Sequence, residues 1–130
     1  MDNARKRMAH YLNVDEKEVL FGPSTSQNTY VLAQSFLEKM NKNDEIIISN
    51  QEHEANAGSW HKMANKGINV IVWEIDPENG SLDIRDLKKL ITKKTKFIAV
   101  THCSNIVGEI NDIKKIAKIA NNSGALLIVD

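Results

Sequence analysis

"GALLIVD", residues 124–130, is a glycine, five apolar residues and an acid. A continuous apolar run of that length, bounded by glycine, is the pattern of a strand buried on both faces in a parallel sheet. The acid falls at the C-terminal end, the side on which open α/β sheets bind ligands. Working back from it, comparable runs recur as "KFIAVT" (96–101), "VIVWE" (70–74), "EIIIS" (45–49) and "EVLFG" (18–22). Helical periodicity fills the intervals. One face carries Ala4, Met8, Tyr11 and Leu12, and another Thr29, Leu32, Ala33, Phe36, Leu37 and Met40. A third helix runs through Trp60, Met63 and Ala64. A fourth starts at Asp83 as N-cap and packs through Ile84, Leu87, Leu90 and Ile91. The last uses Ile113, Ile116, Ala117 and Ala120. Strands alternating with helices predict an α/β fold, a three-layer α/β/α sandwich with a mainly parallel sheet.

A chain of 130 residues with 42% hydrophobic content has room for one domain with a modest core. Seventeen basic residues balance seventeen acidic ones, so no global charge draws the chain to nucleic acid or an anionic membrane. The single cysteine, Cys103, permits no intrachain disulfide, which fits a reducing compartment. No signal-peptide pattern and no bilayer-length apolar run is present, and cytoplasm is the expected location. The chain opens inside a helical pattern and closes on a core strand. This predicts that residues 1–130 are part of a larger domain.

Four stretches carry the chemistry. "GPSTSQN" (22–28) joins a strand to a helix and aligns hydroxyls and free N–H groups at a positive helix terminus, which suits a phosphate. A plain N-cap with extra hydroxyls is the alternative. "SNQEHEANAGSW" (49–60) puts His53 at a strand end before a helix, where it can face a ligand or simply lie on the surface. Glu52 and Glu54 are read as solvated charges near the helix start. "VTHCSNIVGEIND" (100–112) presents several polar side chains in one loop. His102 and Cys103 are adjacent and so point to opposite faces, which argues against a nucleophile pair. Cys103 is expected to be small and buried. Asn105 offers a donor and an acceptor to a ligand oxygen. Asp130, at a buried strand end without an obvious arginine, needs a cationic partner such as a protonated heterocycle. No metal-ligand spacing is present.

Together, "EHEAN" (52–56), "DPENGSLD" (76–83), "THCSNIVGEI" (101–110) and the terminal "VD" resemble the class V aminotransferase family, which includes the cysteine desulfurases. These are fold-type I enzymes dependent on pyridoxal 5'-phosphate. The resemblance implies a role for each residue. Thr25 and Ser26 would bind the phosphate, and His53 would stack on the pyridine ring. Asn105 would hydrogen-bond the phenolic oxygen. Asp130 would pair with the ring nitrogen and hold it protonated, so that the ring accepts electrons. Glu54 stands where many desulfurases have a second histidine, and "PSTSQN" departs from the common glycine-threonine phosphate turn. The resemblance also implies an amino-acid substrate and a homodimeric parent. It places the Schiff-base lysine beyond residue 130, so no catalytic residue is assigned and the isolated chain is expected to be inactive. The reaction stays open among transamination, desulfuration, epimerisation and elimination. Strand order across the sheet is expected to be 70–74, 45–49, 96–101, 126–130, with 18–22 standing apart from 126–130. Two other readings stand beside this one. A non-enzymatic α/β regulatory or binding domain leaves the "THCSN" loop without a reason. A dinucleotide-binding domain lacks the glycine fingerprint.

Overall fold

Ile46, Ile47 and Ile48 are consecutive, and all three are fully buried. Successive strand residues face opposite sides of a sheet, so this strand must be covered on both. The computed structural model, which describes residues 2–130, shows how. Strands β1 (Glu45–Ser49), β2 (Asn69–Trp73), β3 (Thr95–Val100) and β4 (Leu126–Val129) form one parallel sheet in the order β2-β1-β3-β4. Helices α1 (Asp2–Leu12), α2 (Thr25–Leu37), α3 (Glu54–His61), α4 (Ile84–Leu90) and α5 (Ile113–Ser123) complete the chain, with short 3-10 turns at Glu16–Glu18 and Lys62–Lys66. Ile46 and Ile48 pack with Ala33 of α2 and Trp60 of α3 on one face. Ile47 packs with Leu87 of α4 and Ile116 of α5 on the other. Each buried isoleucine contributes about 1.5–3 kcal/mol relative to exposure. The three-layer α/β/α reading and the expected strand order both hold.

The order reverses between β1 and β3. From β1 the chain crosses by α3 to β2 on one side, then by α4 to β3 on the other. The chain leaving β1 runs to α3 on one face and that leaving β3 to α5 on the other, a switch point of the kind at which α/β sheets bind ligands. Each link has a local cause. Asp83 caps α4 by accepting from Arg85 N at 2.7 Å, and the Trp73 indole pins that start by donating to the Asp83 carbonyl at 3.1 Å. Asp112 caps α5. Gly124 ends α5 at φ +76°, a left-handed turn that glycine adopts without strain, and β4 follows directly.

Three expectations need correction. Residues 19–22 form no strand. Asp15 and Glu18 close a capping box over the 3-10 turn, and among the described residues no strand lies beside 19–22 to supply a ladder. As expected, the segment does not pair with β4. An extended segment without a neighbour satisfies no backbone groups, so it does not register as sheet. The sheet accordingly has the four strands expected to be contiguous, and 18–22, read as a fifth strand standing apart, is not a strand. The anticipated apolar face of α1 is the second correction: Met8, Tyr11 and Leu12 are exposed and Ala9 is the buried residue. β4 is the third. It takes the edge position that the expected order gives it, but Leu126 and Val129 are exposed where the apolar run was read as buried on both faces.

Acid should weaken the α4 cap. The Arg85 side chain, then its backbone N–H, lower the Asp83 pKa from 3.8 to about 2. A carboxylate depressed in the folded state stabilises above its unfolded value and loses that contribution as pH falls through the folded one. The difference in melting temperature between wild type and Asp83→Asn should be full near neutrality and vanish toward pH 2. Because the pair is exposed, added salt should shrink it. A difference that persists unchanged at the acid limit would refute the assignment.

Candidate functional site

At the C-terminal edge of the sheet, the exits of β1, β3 and β4 are tied to one another. The Asp130 N–H donates to the Val100 carbonyl at 3.2 Å, and the Asp130 carbonyl accepts from His102 N at 2.8 Å. Thr101 N donates to Glu52 Oε1 at 2.7 Å, across the switch point. His53 and Asp130 therefore lie on the same side of the sheet, although 77 residues separate them (130 − 53).

His53 is the N-cap of α3. Its Nδ1 accepts from Ala55 N at 3.0 Å, which fixes the ring plane and leaves Nε2 as the free edge. The ring lines a cleft of about 320 Å³ shared with Ser26 and Tyr30. Ser24 caps α2 by accepting from Gln27 N at 3.2 Å. That leaves the exposed hydroxyls of Thr25 and Ser26 at the helix N-terminus. Thr25 lines a larger cleft, of about 660 Å³, with Asp130, Phe21, Asn56 and Ile128. Asp130 is exposed, and none of the ion pairs among the described residues uses its carboxylate. Thr25 and Ser26 are adjacent, so the two clefts meet at the start of α2.

Asn105 sits differently. The chain leaving β3 makes a single antiparallel bridge between Cys103 and Ile110. Ser104 N donates to the Glu109 carbonyl, and Gly108 N donates to the Ser104 carbonyl. Asn105 lies at the exposed tip of this loop and on the wall of neither cleft. The bridge also turns Cys103 outward, so the thiol is exposed and the expectation of a buried cysteine is corrected.

Beneath these groups lies a polar network that the sequence reading did not find. Gln51 is buried; its Oε1 accepts from Asn111 Nδ2 at 2.8 Å, and its Nε2 donates to the Gly80 carbonyl. Asn111 Nδ2 also donates to the Thr101 carbonyl at 2.9 Å. Ser104 Oγ, buried as well, donates to the Gln51 carbonyl at 3.2 Å. These bonds hold the "DPENG" turn and the loop after β3 against the exit of β1. Gly80 closes that turn at φ +73°, with Val107 directly over its Cα. Glu52 is half-buried and multiply hydrogen-bonded, which corrects its reading as a solvated charge. The available signal was the density of polar residues immediately after an apolar strand, since buried polar groups must find partners.

The groups present suit a ligand with an anionic end and a cationic ring nitrogen. Hydroxyls at a helix N-terminus receive an anion, a free carboxylate pairs with a protonated nitrogen, and an oriented imidazole offers a flat face.

The Aminotransferase class-V family model matches residues 1–130. The chain is 42% identical over 132 residues to the aminotransferase-like protein FGM3 of Gibberella zeae, covering 99% of this chain and 32% of that protein. It is 31% identical over 130 residues to a probable cysteine desulfurase of Methanothermobacter thermautotrophicus, with 100% and 32% covered. Among solved structures, the cysteine desulfurase CsdA of Escherichia coli superposes with a TM-score of 0.91 at 28% identity, over 98% of this chain and 32% of that one. The chain thus spans about a third of the length of the relatives it matches.

Proposed function

Since the chain belongs to the aminotransferase class V family, we propose that it forms the ring-holding part of a pyridoxal 5'-phosphate site in an enzyme acting on an amino acid. The reaction is of the aminotransferase, cysteine desulfurase or epimerase type. The observation that carries this reading is the larger cleft, which is lined by Thr25 and by Asp130, whose carboxylate has no ion-pair partner among the described residues. Thr25 and Ser26 bind the phosphate with hydroxyls and N–H groups at the positive end of α2. Asp130 holds a proton on the ring nitrogen. His53, oriented through Nδ1, stacks on the ring. Asn105 is assigned to the phenolic oxygen on the family pattern alone, since its loop tip lines neither cleft. The cofactor, when bound, supplies an electron-accepting ring. None of Lys88, Lys89, Lys114 and Lys115 is assigned a covalent role. All four are exposed on α4 and α5, and Lys89 and Lys115 pair with Asp86 and Asp112. Among the described residues no helix is long and apolar enough to cross a membrane. We place the enzyme in the cytoplasm as a homodimer; the single cysteine fits a reducing compartment, and exposed Tyr11, Leu20 and Tyr30 offer apolar surface to a partner.

The test is cofactor titration of the full-length protein, followed by absorbance and by borohydride trapping. Wild type should bind pyridoxal 5'-phosphate and yield a trapped lysine adduct. The double variant Thr25→Val, Ser26→Ala should bind it roughly tenfold or more weakly, each lost hydrogen bond to a charged phosphate costing about 1.5–3 kcal/mol. Unchanged affinity in that variant would exclude the start of α2 as the phosphate site.

A further inference from the structure

Glu52 joins three elements through its carboxylate. Oε1 accepts from Thr101 N at 2.7 Å and from the Ser49 hydroxyl. Oε2 accepts from Asn56 Nδ2 at 2.7 Å. The other end of the Asn56 amide accepts from Trp60 Nε1 at 2.9 Å. Trp60 is fully buried, and an indole nitrogen can only donate. The direction of the whole chain follows from that one fact. Trp60 obliges Asn56 to turn its oxygen inward. Asn56 must then offer its NH₂ to Glu52, while the Thr101 N–H also points at Glu52. Both Glu52 oxygens meet donors, so the group must be an acceptor at both ends. A carboxylate is; a glutamine amide is not.

We propose that Glu52 is a positioning residue for the site: its carboxylate, polarised by Trp60 through Asn56, sets the exit of β3 against the start of α3. It acts through its neighbours. His53 follows it directly, and the segment from Thr101 to Asn105 starts at the N–H that donates to its Oε1. Asn56, the middle of the relay, lies on the wall of the larger cleft. The assignment of these neighbours to a cofactor site rests on the function proposed above; the relay itself does not.

The experiment uses the full-length protein and two readouts. The first is amide hydrogen exchange over 99–106, measured without cofactor. The second is affinity for pyridoxal 5'-phosphate together with the absorbance band of the bound form. In Glu52→Gln the new NH₂ faces the Asn56 NH₂, and flipping Asn56 only moves the conflict to Trp60. Exchange at 99–106 should rise about tenfold or more, the scale of one lost charged hydrogen bond, with weaker cofactor binding and a shifted band. Adding Asn56→Asp to Glu52→Gln reverses the conflict. The introduced amide then donates its NH₂ to the introduced carboxylate, whose second oxygen accepts from Trp60, while the amide oxygen keeps the Thr101 N–H. The double variant should return exchange and the absorbance band to near wild type. Asn56→Asp alone, which sets two carboxylates together, should be the worst of the three. A Glu52→Gln protein with wild-type exchange overturns the proposal. So does a double variant no better than the single, including the case in which both fail to fold. If wild type binds no cofactor, the preceding function fails, and the exchange measurements still decide the relay.

Discussion

Asp130→Ala in the full-length protein is expected to lower cofactor-dependent turnover by roughly 10²-fold or more, the scale on which removing one positioned electrostatic group acts. Among the described residues the carboxylate takes no ion pair, so its loss removes no such contact within this part of the chain. The contacts that hold the segment are made by the Asp130 backbone, to Val100 and His102, and alanine retains them. The unfolding midpoint should therefore stay at the wild-type value while turnover collapses. Asp130→Glu, which keeps the charge but moves it by one methylene, should fall between. The check is kcat and kcat/KM alongside thermal unfolding of the same samples. Full activity in Asp130→Ala would remove the ring-nitrogen role and with it the central support for the site.

The largest expected effect on stability is at Trp60. Its ring stacks on Phe97, centroids 6.4 Å apart at 25°, within the core between α2, α3 and the sheet. Truncation to alanine removes that contact area and leaves a cavity in a close-packed interior, at a cost of about 3–5 kcal/mol. Domain stabilities are roughly 5–15 kcal/mol, so this variant should be marginally folded. Trp60→Phe separates packing from polarity: it keeps an aromatic ring but leaves the Asn56 oxygen without its donor. That should cost about 1–3 kcal/mol. Denaturant unfolding of the wild type and both variants gives the ordering. If Trp60→Phe matched wild type, the indole N–H would have no part in holding Asn56.

The layers were legible in the sequence because they depend on local pattern. "EIIIS" has no polar face, so β1 had to be covered on both sides, and the helix periodicities supplied the covers. Asp83 was legible as a cap because a cap is a contact between near neighbours in the chain. The site motifs were legible as a family pattern, and their common edge followed from parallel strands ending on one side. The tertiary structure decided the rest. Residues 19–22 carry a strand's composition, yet a strand exists only when a neighbour completes its ladder. The face of α1 depended on what packs against it, which helical spacing does not encode. Above all, Glu52 carries the same side chain as Glu54, two residues on, and nothing local separates them. One is exposed. The other accepts from Thr101, 49 residues away in the chain, and from an asparagine whose orientation a buried tryptophan dictates. A charge is kept out of water only when distant parts of the chain bring it enough donors, and only the folded chain determines where those donors meet.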